Sequence, residues 1–76
     1  MNNKRREVLR KAIGELDSVL DRIQNALDSE QDCLDNMPEN LIDSDRCVKM
    51  EENVDALEDA ITQIESAKEC ILDAVK

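Results

Sequence analysis

Nineteen carboxylates, ten lysine or arginine side chains and three thiols are the groups that could do chemistry in this sequence, and histidine is absent. Without histidine the commonest general base and the commonest metal ligand are missing. Carboxylates and thiols would have to carry any reaction. A pair of carboxylates works as acid and base only where burial drives their pKa values apart. Here Asp17 and Asp21, Asp28 and Asp32, Glu51 and Asp55, Asp55 and Asp59, Glu65 and Glu69, and Glu69 and Asp73 recur at i and i+4, the spacing of an exposed helical face. No DxDxDG calcium loop is present, and no phosphate-cradling pattern surrounds Gly14, the one glycine. The sequence reads as a non-enzymatic chain with no cofactor and no metal.

Cys33, Cys47 and Cys70 form neither a CxxC pair nor an even disulfide framework. They are expected to be small buried thiols in a reduced, cytoplasmic protein. No apolar run approaches the roughly 20 residues of a membrane span.

Charge narrows the partners. The net charge is −9, yet residues 1–14 carry Lys4, Arg5, Arg6, Arg10 and Lys11 against Glu7, a net of +4 that leaves −13 for residues 15–76. Such a body repels nucleic acid and anionic lipid and favours a basic protein. Like charges at i and i+4 each cost roughly 0.2–0.5 kcal/mol in an isolated helix, so the acidic rows oppose helix stability. They either provide solubility alone or stand in for nucleic-acid phosphates in the basic groove of another protein. In the second reading the contact surface is Asp21, Asp28 and Asp35 with Glu51, Asp55, Glu58, Glu65 and Glu69.

The elements that must position these groups follow from apolar spacing. Leu9, Ile13, Leu16, Leu20, Ile23, Leu27 and Leu34 repeat in the alternating fours and threes of a coiled-coil seam, broken only at Glu30. Cys47, Met50, Val54, Leu57, Ile61, Ile64, Ile71 and Val75 do the same, with Lys68 as the single polar seam residue. Pro38 disfavours helical geometry at Met37 and donates no backbone hydrogen bond. Ser44 is a fitting N-cap, with Asp45 at the positive end of the dipole. The pattern predicts an all-α antiparallel two-helix coiled-coil hairpin forming one domain over residues 1–76, with helices at about 4–35 and 44–76 and a turn at 36–43. Folding back sets the basic start beside Glu65, Glu69 and Asp73.

If the seam is labelled a and d, Ala12, Val19, Ala26 and Cys33 on the first helix and Ala60, Ala67 and Ala74 on the second fall at g. An a/d/g stripe is wider than a hairpin needs and suits a helix with more than one neighbour. A chain of 76 residues is also near the size at which a lone core is marginal. Self-association of two hairpins into a four-helix bundle, as a homodimer, is the expected cover, with a different partner as the other; alanine columns also arise simply because alanine favours helix. Met37, Leu41 and Ile42 are apolar where turn chemistry needs no apolar residue. They either plug the end of the bundle against Leu34 and Cys47 or protrude toward a partner.

Asn36, Met37, Pro38, Glu39 and Leu41, then Ser44, Asp45 and Arg46, then Met50, Glu51 and Glu52 resemble a pattern in small uncharacterised acidic helical proteins of phages and other mobile elements in Gram-positive bacteria. In those proteins an N-(M/L)-P-E-x-L turn is followed by S-(E/D)-R and a helix opening on M-E-E. Cys47 stands where that pattern carries an aromatic residue. The resemblance implies a small accessory protein inside the bacterial host cell. Proteins of that kind include inhibitors of host defence nucleases, so it also implies an anti-defence role for a DNA mimic.

Overall fold

The computed structural model describes residues 1–76. Helix α1 runs Asn3–Asp35, a short 3-10 turn occupies Glu39–Leu41, and helix α2 runs Asp45–Val75. The two helices pack side by side as an antiparallel hairpin, a rod of 60 × 15 × 13 Å.

Each boundary has a local cause. Asn2 caps α1 by accepting a hydrogen bond from the Arg5 backbone N–H at 2.8 Å. At the other end the Asn36 side chain donates to the Asp32 carbonyl at 2.8 Å, and Pro38, at φ −59° and ψ 145°, holds the chain out of helix. Ser44 then serves two elements: its hydroxyl donates to the Leu41 carbonyl at 2.6 Å and accepts from the Cys47 N–H at 3.2 Å. One side chain thus closes the turn and opens α2.

Packing is lopsided. The buried residues are Leu27, Cys47 and Val54, all at a positions and all in the half of the rod nearest the turn. Every d residue (Leu9, Leu16, Ile23, Glu30, Met50, Leu57, Ile64 and Ile71) is half-buried. The seam closes fully only at these three a residues; the other a residues, Ile13, Leu20, Leu34, Ile61, Lys68 and Val75, are half-buried like the d residues. The radius of gyration is 17.4 Å, against about 11 Å for a compact chain of this length. Accessible surface is 5673 Å², roughly 1,000 Å² above the approximately 4,700 Å² expected for a compact monomer of this mass.

Two expectations are corrected here. Cys33 and Cys70 are exposed, and only Cys47 is buried, because Cys33 sits at g and Cys70 at c, outside the seam. Leu41 and Ile42 stay 39% and 49% exposed and do not plug the end of the hairpin. They lie at the end of the 3-10 segment, Ile42 as its C-cap, and of the three apolar turn residues Met37 alone is half-buried. Antiparallel packing brings the basic start of α1 to the same end of the rod as Glu65, Glu69 and Asp73, without an ion pair to them; the ion pair across the hairpin is Lys68 with Asp17. No helix is long and apolar enough to cross a membrane.

Candidate protein-interaction surfaces

Antiparallel packing places the e positions of both helices on one long side of the rod and the g positions on the other, with b flanking e and c flanking g. Two contacts fix this assignment in the molecule. Asp17, at e on α1, bonds Lys68, at a on α2, with Nζ–Oδ1 at 2.6 Å. On the opposite side a shallow groove of about 320 Å³ is lined by Val19, Arg22, Ile23, Ala26 and Leu57, residues at c, d and g.

The b/e side gathers the acids. Asp21, Asp28 and Asp35 stand at b on α1; Asp55 and Glu69 stand at b, and Glu51, Glu58 and Glu65 at e, on α2. All eight are exposed, and none makes a direct ion pair, since the ion pairs are Lys68 with Asp17 and Lys76 with Asp73, although the charges of Glu65 and Glu69 reach Lys68. Neutral donors order two of them: Gln24 Nε2 donates to Asp28 at 3.0 Å and Gln31 Nε2 to Asp35 at 2.8 Å. At 1.5 Å per helical residue the eight occupy roughly 35 Å, about one charge per 4 Å. A single nucleic-acid strand carries one per about 3.4 Å. The bases on this side are Lys68, held by Asp17, and Arg10 and Lys76 at the terminal end of the rod.

The c/g side gathers small residues. Ala12, Val19 and Ala60 are half-buried there, while Ala26, Ala67 and Ala74 are exposed. Next to them lie the half-buried d residues, and of the sequence-predicted association residues Val19 and Ala26 share the groove with Ile23, Leu57 and Arg22.

Two groups titrate away from their ordinary values. The hydrogen bond from Lys68 to Asp17 holds the Lys68 ammonium above the usual lysine value despite its partial burial. Burial raises the Cys47 thiol, and the charge of Glu51 adds to the effect; Cys47 Sγ lies 3.8 Å from Glu51 Oε1. Neither group faces a cleft, and no cluster of three or more acidic or thiol side chains has the geometry to hold a metal ion.

Sequence reasoning noted Lys68 as a polar seam residue but not its partner. The signal was available, because a half-buried cation needs an anion and Asp17 is the acid at e on the facing turn. It also passed over Met1, Val8 and Val48, which are 53%, 63% and 47% exposed and which fall off the seam by simple counting. Leu41 and Ile42 join them, so the exposed large apolar side chains cluster at the two ends of the rod. No protein-family model matches the chain, and no curated protein or solved structure matches it.

Proposed function

We propose that this chain is a protein-binding module whose unpaired acidic side occupies a basic surface on another protein, of the kind that otherwise holds a nucleic-acid backbone. The observation that carries the reading is the segregation of eight carboxylates, none in a direct ion pair, onto one side of a rod, at a spacing close to that of phosphates on a strand. Charges placed only for solubility would be spread over both sides and interleaved with lysine. Steering by such a surface raises association rates and falls steeply with salt. In the setting that the turn motif suggests, a phage or mobile element in a bacterial cytoplasm, the basic partner is a host nucleic-acid-binding or defence protein and the outcome is inhibition.

The hairpin acts as a homodimer in this reading, two rods closing their open d/g strips into a four-helix bundle. An excess surface of roughly 1,000 Å² is about what one partner buries in a standard interface. The second reading, a structural bundle component whose acids confer only solubility, is favoured by that same open strip.

Charge reversal separates the two. Changing Glu51, Asp55 and Glu58 to Lys leaves the far-ultraviolet circular dichroism spectrum unchanged and weakens binding to a partner captured from bacterial lysate by about tenfold or more. Duplex DNA competes for that partner, and wild-type affinity drops as salt rises. Capture that is insensitive to the reversal, to salt and to DNA would sink the mimicry. Direct binding of DNA by the wild-type chain would contradict it from the other side.

A further inference from the structure

We infer that the two copies dock antiparallel about a two-fold axis through the middle groove, so that Leu41 and Ile42 of each turn seat in a basic-rimmed apolar groove at the start of the partner's α1. The inference rests on the self-association read above and adds its orientation and its end contacts.

The receiving site is a groove of about 480 Å³ lined by Met1, Asn2, Lys4, Arg5, Val8 and Leu9. Val8 is 63% exposed in its wall. Met1 and Val8 fall at c, Leu9 at d and Arg5 at g, so this groove lies on the same long side of the rod as the middle one. The inserting element is the turn, where Leu41 and Ile42 project 39% and 49% exposed.

Charge selects the orientation. Residues 1–14 carry a net +4, whereas residues 35–45 carry Asp35, Glu39, Asp43 and Asp45 and no base; the nearest bases, Arg46 and Lys49, follow on α2. A parallel dimer would set acidic turn against acidic turn and basic start against basic start, and like-charge juxtaposition opposes such a contact. The antiparallel dimer pairs opposite charges twice, because an isologous interface repeats every contact.

Distance agrees. The terminal groove is centred near Arg5, 18 residues or roughly 27 Å before Ile23 in the middle groove. Beyond Ile23, α1 continues for 12 residues, roughly 18 Å, and the turn supplies the rest of the 60 Å rod. A two-fold axis at the middle groove therefore carries one copy's turn onto the other's terminal groove.

Cross-linking reads the orientation directly. In a Cys33→Ser, Cys70→Ser background, which leaves only the buried Cys47, one preparation carries Val8→Cys and another Leu41→Cys. Mixed and oxidised, they are expected to form a Val8→Cys to Leu41→Cys heterodimer, with little self-linking of either preparation alone. Self-linking of Leu41→Cys, or a dimer with no Val8 to Leu41 link, overturns the orientation while leaving self-association standing. Light scattering that finds the wild-type chain monomeric at tens of micromolar refutes both. Charge exchange gives a second measurement: Lys4→Glu with Arg5→Glu weakens dimerisation by about tenfold, and adding Glu39→Lys with Asp43→Lys in the same chain restores it. Failure of that rescue, in chains that keep their helicity, also overturns the orientation.

Discussion

The two long sides of the hairpin are drawn from the same two helices and the same heptads, yet one carries eight unpaired carboxylates and the other a strip of alanines beside half-open leucines and isoleucines. The difference arises at two flanking positions. Acids fill b and e on one side, and like charges there oppose the approach of another acidic helix. Small residues fill g on the other side, beside d residues whose half-buried side chains still present apolar surface to water. Heptad spacing makes the hairpin, and the choice of residue at e and g gives its two long sides their different surfaces.

The largest test of this contrast compares a with d. Leu27→Ala removes a buried a residue in the tightest part of the seam and is expected to cost about 2–5 kcal/mol, a large share of the stability of so small a chain. Circular dichroism melting should show it at every protein concentration. Ile23→Ala, at d, costs less in an isolated hairpin, because its side chain is only half-buried. If a second copy covers it, the loss grows with protein concentration, and a concentration-independent loss would break the association reading.

Next in size is the small strip itself. Ala60→Glu and Ala26→Glu each bring a charge to the proposed contact, where an unpaired buried charge costs several kcal/mol. Light scattering coupled to gel filtration should find the mass reduced to that of one chain while helicity persists. Unchanged mass in a dimeric background would place the interface elsewhere.

The Lys68 to Asp17 pair is the one ion bridge between the helices, and its contribution depends on pH. A lysine whose pKa is raised by folding adds stability that is fully present below the unfolded pKa, about 10.4, and is lost as pH rises through the folded value. The difference in urea midpoint between wild type and Lys68→Met should therefore be constant near neutrality and should change in the direction of lost wild-type stability only above about pH 10. A change centred near neutral pH would mean that another group carries the dependence.

The smallest effect lies on the acidic side. Gly14 sits at b, and a β-carbon there meets nothing within 4 Å. Gly14→Ala is expected to stabilise α1 by up to about 1 kcal/mol, with no change in mass. A loss of stability would show that something packs against this side after all.

Much of the frame was legible in the residues. Pro38, Ser44 and the fours and threes of the seam specify two helices and the break between them, since each acts through backbone geometry within a few residues. The eight acids were legible as exposed because b and e lie off any a/d seam. What could not be read was the rotation of one helix against the other. That rotation buries Leu27, Cys47 and Val54 and leaves Ile23 and Leu57 half-buried, and it depends on side-chain volumes summed across both helices. Nor could the exposure of Leu41 and Ile42 be read, because a 3-10 turn of three residues carries no periodicity.

The clustering of Leu27, Cys47 and Val54 near the turn also bears on how the chain reaches its fold. Contacts close to the turn enclose the shortest loops and so lose the least chain entropy on forming. The hairpin should nucleate there, with Ser44 fastening both sides of the bend, and zip toward its termini. Substitutions at Leu27 or Val54 should then slow folding, whereas those at Leu9 or Ile71 should mainly speed unfolding. Amides near the termini should exchange with solvent hydrogen far faster than those beside the turn, giving the rod one firm end and one that frays.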